Sequence, residues 1–231
     1  MVDVVIALVP AMIAAVIFFR WQAVILVGTC VVTALITEWL CNIVRGKENT
    51  LWDFSAVVTA IILAFSVPAA LPAWAAVIGT AFAIAIGKMV FGGLGSNIFN
   101  PAMVGRAFLT ASFGVLMTTW TVPATIDTDM SKIGPENTVN ARTQATPLAW
   151  SKEAIKTDTV QAEKTNDQLW ATLTGEVGGC LGETSSLALI LGGIYLVIRK
   201  TIDIRTPIAV IGGAFVFSAI FWLAGPDDYI S

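Results

Sequence analysis

The sequence predicts an all-α integral membrane protein with about seven spans. Of its 231 residues, 56% are hydrophobic and only 13% are charged, and the mean hydropathy is +0.81. Soluble domains carry about 25% charged residues, so these proportions argue against a soluble globular enzyme. The formal net charge of −3 gives no general attraction to nucleic acid. Histidine is absent, which removes Ser-His-Asp catalysis and His-ligated metals, and we assign no catalytic or metal-ligating side chain.

Seven apolar runs make up the predicted membrane part. A helix needs about 20 apolar residues to cross the hydrocarbon core; four runs reach that range and the first falls just short. The third run ends early at Pro68, and the fifth contains Asn100, Pro101 and Arg106. Interrupted spans of this kind point to broken helices that line a site, with a tilted or interfacial span as the alternative. The runs are Val4–Phe19, Trp21–Val44, Phe54–Val67, Trp74–Phe91, Ile98–Met117, Val177–Ile198 and Pro207–Ala224.

Basic residues near the span ends predict the orientation. If the runs alternate sides, one side receives six basic residues, and the other receives Arg20 and the polar segment 118–176. The positive-inside rule then places the N-terminus in the cytoplasm and segment 118–176 outside, in the periplasm of a Gram-negative cell. Three regions follow: 1–117 with five spans, the external segment 118–176, and 177–231 with two spans. The six basic residues are Arg45, Lys47, Lys88, Arg199, Lys200 and Arg205.

Two acidic residues fall inside predicted spans. Glu38 lies in the second run and Glu183 in the sixth. A carboxylate there costs about 2.5–3.5 kcal/mol on insertion scales, so each is a candidate for function. For Glu38 the alternative is a position close enough to the interface to reach water. Asp53, just before the third run, has the simpler expected role of capping a helix.

Two glycine-rich stretches have the same turn-like character, one leading into the fifth run and one just before or within the sixth span. Residues 92–101 read GGLGSNIFNP and residues 178–185 read GGCLGETS. The first lacks both the Rossmann spacing and the Lys-Ser/Thr of a phosphate-binding loop. We therefore predict a tight turn whose amides and asparagine side chains could hold a polar ligand at the start of a helix.

Three motifs resemble the NqrB/RnfD family, whose members are membrane subunits of the Na⁺-pumping NADH:quinone oxidoreductase and of the Rnf electron-transport complex. They occur in the same order along nearly the whole chain. The opening DVVIALVP, at residues 3–10, is more similar to RnfD. The motifs are GGLGSNIFNPAMVGRAFL at residues 92–109, QATPLA at 144–149 and GETSSLA at 182–188.

The resemblance implies a covalent FMN, joined through its phosphate to a threonine hydroxyl in a pattern close to D-x-x-T-x-A-T. Residues 140–146 read NARTQAT, so Thr146 is the expected acceptor, with Thr143 and Ala145 in the same motif. A positive charge at Arg142 would pair with the flavin phosphate, which is our inference from charge alone. A second, noncovalent flavin is left open.

Two departures from the family pattern bear on this modification. Asn140 stands where aspartate is usual, and Gln144 is bulkier than the usual small residue. If the flavin transferase needs the aspartate, modification would be slow or absent. Asn100 and Glu183, in the other motifs, are further expected cofactor contacts, and with Glu38 they are candidates for an ion path.

The family fold is similar to that of urea transporters, with two inverted five-helix repeats and about ten spans. The chain would then hold one repeat and the start of the second, truncated relative to that fold. The resemblance implies a multi-pass subunit of a bacterial inner-membrane oxidoreductase that relays electrons through FMN, coupled to Na⁺ or H⁺ movement. Its partners would be other Rnf-type subunits, above all the second covalent-flavin subunit. A flavin transferase and the lipid bilayer complete the expected partners. The alternatives are a solute transporter or channel without a redox role, and a scaffold protein whose flavin site is vestigial.

Overall fold

The computed structural model describes residues 1–46, 51–120, 179–182 and 186–224, without the side chains of residues 222 and 224. Within these ranges the regular structure is helical, as predicted. The helices are α1 (Val2–Phe19), α2 (Trp21–Arg45), α3 (Ser55–Phe65), α4 (Ala73–Phe82), α5 (Pro101–Ser112), α6 (Gly114–Thr118), α7 (Ser186–Ile198) and α8 (Arg205–Ala224), with a short 3₁₀ turn at Leu51–Asp53 and a π-helix at Ala83–Met89.

Helices α1 and α2 form a helical hairpin through Arg20, whose φ of 51° turns the chain sharply. In the described residues these two helices are long and apolar enough to cross a membrane, and four shorter apolar segments accompany them. The buried residues of α1 are Ala7, Ala11, Ala15 and Phe19, four residues apart. This spacing puts them on one helix face. The first predicted run was slightly too short to cross the membrane, but α1 also includes Val2 and Asp3, which brings the helix to 18 residues.

The third span is broken, as its early stop at Pro68 predicts. Helix α3 has 11 residues and ends at Phe65, and the chain is not helical again until Ala73. Helix α4 then continues directly into the π-helix Ala83–Met89. Both α3 and α4 pack against α2, so α2 is the central support of this part of the fold.

The fifth run differs from its prediction at both ends. Its helix α5 begins at Pro101 instead of Ile98, because Asn100 caps it and proline favours the first helical position. The helix breaks at Phe113, and the short helix α6 follows. Helix α5 fits closely against α4: a Cβ added at Gly105 would lie 2.7 Å from the Cβ of Ala83 and 2.9 Å from the carbonyl oxygen of Gly79.

Helix α7 packs against α1 in the opposite direction. Arg199, just after α7, forms an ion pair of 3.2 Å with Asp3 at the start of α1. The sixth run is not helical at its start within the described residues: Cys180–Gly182 are non-helical, in keeping with the predicted turn character of the glycine-rich stretch 178–185, and α7 begins at Ser186. Helix α8 follows, with its large apolar side chains exposed.

The helix directions gather basic residues at one end of the bundle. Arg45 at the end of α2 donates a hydrogen bond of 2.9 Å to the carbonyl of Met89, so α2 and the π-helix end together. Arg199 and Lys200 lie beside the start of α1, and Arg205 opens α8. Helices α5 and α6 lead away from this basic end to Trp120. This agrees with alternating spans, but Lys88 is buried inside the bundle and is not a loop residue.

Candidate functional site

Glu38 is fully buried in the middle of the bundle. It continues the buried face of α2, which runs through Ala34, Glu38 and Asn42 at intervals of four residues. Its exposed fraction is 0%, so the carboxylate does not reach the surface as the interfacial alternative supposed. A buried carboxylate requires a compensating charge or hydrogen bonds.

Lys88 supplies that charge. Its Nζ lies 2.6 Å from Oε1 of Glu38, and the two side chains are 1% and 0% exposed. Counting Lys88 among the basic residues of the short loops was therefore wrong. The signal that could have revealed it is its position inside the apolar run Trp74–Phe91, three residues before the end. A lysine inside a span is expected to pair with an acidic residue or with backbone carbonyls.

Ser55, the first residue of α3, is the third member of this cluster. Lys88 Nζ donates to Ser55 Oγ at 2.5 Å, and Ser55 Oγ donates to Asp53 Oδ1 at 2.6 Å. Asp53 also accepts from the backbone N–H of Ser55 at 2.8 Å, so it satisfies the first N–H of α3 although the N-cap residue itself is Phe54. We call Glu38, Lys88, Ser55 and Asp53 the Lys88 cluster. It is a continuous chain of charged and polar groups from half-buried Asp53 to fully buried Glu38.

The glycine-rich stretch forms the predicted tight turn beside the Lys88 cluster. Gly92, Gly93 and Gly95 have φ values of 123°, 103° and 87°, which side-chain-bearing residues rarely adopt. The N–H of Gly93 donates to the carbonyl of Lys88 at 3.1 Å. With its amide nitrogen toward them, Asn97 donates to the carbonyls of Lys88 and Gly93 at 3.1 and 3.0 Å. The turn therefore fixes the backbone of Lys88.

Asn100 does not belong to that cluster. Its side chain is exposed, and its Oδ1 accepts from the N–H of Ala102 at 3.0 Å, which caps α5. The structure thus explains Asn100 by helix capping, and its roles toward an ion or a cofactor stay predictions.

A second polar feature lies where residues 180–182 meet the end of α3. Leu181 N–H donates to the carbonyl of Val67 at 3.1 Å, and Gly182 N–H donates to that of Phe65 at 2.9 Å. Cys180 Sγ donates to the carbonyl of Ser66 at 3.2 Å. The carbonyls of Phe65, Ser66 and Val67, at and just after the end of α3, thus find hydrogen-bond donors inside the protein. A helix that breaks within a membrane requires such partners because lipid offers none.

Arg106 of α5 reaches this second feature through a contact of 3.8 Å from Nη2 to Cys180 Sγ. A Cβ on Gly182 would lie 2.7 Å from the Cβ of Phe65, so this position has no room for a larger residue. The next residue, Glu183, lies outside the described residues. So do the expected flavin motif residues Arg142, Thr143, Ala145 and Thr146, whose roles stay predictions.

Comparison with known proteins decides the family. The sequence profile of the NQR2, RnfD, RnfE family matches residues 1–231. The chain belongs to this family. The resemblance predicted from the three motifs is therefore confirmed, and the helical bundle is a membrane-embedded protein with helical spans.

Similar proteins carry related names. The chain is 42% identical over 208 residues to the D component of the Na(+)-translocating ferredoxin:NAD(+) oxidoreductase complex of Acetobacterium woodii, covering 90% of this chain and 59% of that protein. It is 36% identical over 220 residues to the D component of the proton-translocating complex of Clostridium ljungdahlii, covering 95% and 63%. The D component of an ion-translocating oxidoreductase complex of Rhodobacter capsulatus is 36% identical over 241 residues, with 99% and 67% covered. The chain thus spans about six tenths of the length of the first two.

Proposed function

We propose that this chain is the D component of an Rnf-type electron-transport complex, with FMN attached through its phosphate to Thr146. It works as one subunit of an ion-translocating oxidoreductase and is not catalytic alone. The observation that carries the proposal is the match, over 90–99% of this chain, to three proteins named as the D component of such complexes. When bound, FMN supplies the redox chemistry, and the protein holds and orients it.

The helix directions support an external position for the flavin-bearing segment. The described chain leaves the bundle after α6, away from the basic end defined by Arg45, Arg199 and Arg205. If the basic end is cytoplasmic, segment 118–176 begins on the opposite side of the bacterial inner membrane. There it would meet the flavin transferase and the second covalent-flavin subunit. The same proposal includes a urea-transporter-like arrangement, with the broken span at α3 as part of the first repeat.

In-gel fluorescence tests the flavin site. The full chain is expressed in cells that contain a flavin transferase, denatured, separated on a gel and viewed under ultraviolet light. We expect a fluorescent band that disappears in Thr146→Ala, because the phosphoester needs the threonine hydroxyl. Thr159→Ala, another threonine of the same segment, is the matched control and should stay fluorescent.

Each other outcome removes one part of the proposal. A dark wild-type band would contradict a flavin-bearing role and leave the vestigial-scaffold interpretation. A band that survives Thr146→Ala would show that the acceptor residue is wrong. The expected result, loss of fluorescence in Thr146→Ala but not in Thr159→Ala, would exclude the alternative of a solute transporter without a redox group.

Cysteine labelling tests the orientation. Ser151→Cys, in the segment proposed to be external, should react with a membrane-impermeant maleimide in intact cells. Thr201→Cys, exposed between α7 and α8 at the basic end, should react only after the membrane is permeabilised. Native Cys30 and Cys180 are buried and Cys41 is half-buried, so the unsubstituted protein is labelled in parallel to give the background. The reverse pattern would invert the proposed orientation.

A further inference from the structure

The Lys88 ammonium is held by oxygen atoms from two other structural elements. Glu38 Oε1 comes from α2 at 2.6 Å and Ser55 Oγ from the start of α3 at 2.5 Å. Ser55 is 3% exposed, and Lys88 and Glu38 are less exposed still. A carboxylate and a hydroxyl oxygen around a compact positive charge are also the ligands that hard metal cations prefer. Glu38 and Ser55 therefore supply the oxygen ligands of a cation site, and the Lys88 ammonium occupies the position of the cation.

The cluster has a route to the surface. Ser55 Oγ donates to Asp53 Oδ1 at 2.6 Å, and Asp53 is partly exposed. A cation that enters beside Asp53 would meet oxygen ligands as far as Glu38. The exposed end of the Lys88 cluster, at Asp53, thus lies toward the basic end of the bundle.

The π-helix gives Lys88 a way to move. Lys88 is the sixth of the seven residues Ala83–Met89, and the N–H of Val90 donates to the carbonyl of Ala85, five residues back. Such π segments are rare and frequently lie at functional sites. Conversion of the segment to α-helix would shift the register by one residue and rotate Lys88 by about 100° around the axis. The ammonium would then leave Glu38.

From this geometry we infer that Lys88 is a tethered cation that occupies an alkali-metal ion site formed by Glu38 and Ser55. This inference rests on the proposed function, since it assigns the ion-translocating step to the Lys88 cluster. In one state Glu38 faces the Lys88 ammonium; in the other it faces one metal ion, and the displaced ammonium would pair with Asp53, the other carboxylate of the cluster, which Ser55 links to Lys88. Exchange between the two occupants would let the protein take up and release the transported ion without leaving a bare buried carboxylate.

A structural ion pair and a cation site make different predictions for Lys88→Met. In a purely structural pair, the variant leaves Glu38 without its counter-charge in every salt. In a cation site, an alkali ion replaces the missing ammonium and stabilises the folded state in proportion to the logarithm of its concentration. The thermal unfolding temperature therefore separates the two possibilities without any measurement of activity.

The test uses the purified full chain in detergent, with NaCl, KCl and choline chloride compared at constant ionic strength. We expect the unfolding temperature of Lys88→Met to rise by about 3–5 °C for each tenfold increase of NaCl above the dissociation constant. The wild-type protein, whose site is filled, should show no such difference between NaCl and choline chloride. The double variant Glu38→Gln/Lys88→Met is the control and should lose the response because it lacks the carboxylate.

An equal unfolding temperature of Lys88→Met in NaCl, KCl and choline chloride would overturn the inference, as would a sodium response in the double variant. If the single variant cannot be purified in choline chloride, it is purified in NaCl and diluted into each salt. Size-exclusion chromatography then shows in which salts the variant stays folded. A folded peak only in the alkali salts supports the cation site. Loss in all three salts refutes it. Fluorescence at Thr146 tests the electron-transfer role separately, so the two proposals can fail independently.

Discussion

Replacing Glu38 with glutamine is expected to lower the free energy of unfolding by about 3–5 kcal/mol. The variant leaves the Lys88 ammonium buried at 1% exposure without its counter-charge. Desolvation of both ions is already a large cost in this pair, and their mutual attraction is the main term that offsets it, beside the hydrogen bond from Lys88 to Ser55. Glutamine keeps the size and one acceptor oxygen of the side chain, so the loss reports the charge more than the packing. Thermal or denaturant-induced unfolding in detergent measures it.

The double variant Glu38→Met/Lys88→Met separates the effect of an unpaired buried charge from the effect of changing the side-chain shape at these two positions. Replacing both members of a buried ion pair by apolar residues of similar volume is commonly neutral or stabilising. We expect its stability to return to within about 1 kcal/mol of the wild-type protein, with Ser55 still bound to Asp53. A double variant as unstable as Glu38→Gln would mean that these side chains matter for shape and not for charge.

The Lys88 cluster shows which part of a site can be predicted from sequence. Glu38 was identifiable as a candidate because a carboxylate within a 24-residue apolar run is costly unless it is functional, paired or close to water. Its burial in the structure removes the last of these. The partner of Glu38 was not identifiable, because Lys88 is 50 positions away and lies near the end of its run. A π-helix, which periodicity does not reveal, keeps that end of the run inside the bundle.

Local sequence signals mark two helix ends, although the predicted fifth run began at Ile98 and used only the first of these signals. Pro68 indicated the break after α3, and Asn100-Pro101 contains the cap and the first residue of α5. For the stretch Cys180–Gly182, the glycines of 178–185 indicated a turn but not its partner. Its backbone N–H groups bind the carbonyls of Phe65 and Val67, more than 100 residues earlier in the chain. Pairing over that distance is decided by the fold, so the sequence alone did not predict it.

The close contact between α1 and α7 predicts that Gly192→Ala is strongly destabilising. Gly192 of α7 lies directly against the backbone of Ala7, and a Cβ at Gly192 would overlap the carbonyl oxygen of Ala7. Membrane helices approach this closely only where small residues meet. Gly192→Ala should therefore push α7 away from α1 and lower the free energy of unfolding by about 2–3 kcal/mol. The gain that alanine brings to a helix, at most about 1 kcal/mol, would offset only part of this loss.

The neighbouring glycine is a matched control. Gly193 has no atom within 4 Å of an added Cβ, so Gly193→Ala carries the same gain in helix propensity without the overlap. We expect its stability to be unchanged or raised by up to about 1 kcal/mol. Thermal unfolding of the two variants side by side then isolates the helix contact, because they differ by one position and in no chemical group. The 3.2 Å ion pair of Asp3 and Arg199 is largely exposed and contributes too little to hold the two helices together alone. Equal stability of Gly192→Ala and Gly193→Ala would therefore contradict the close packing of α1 against α7.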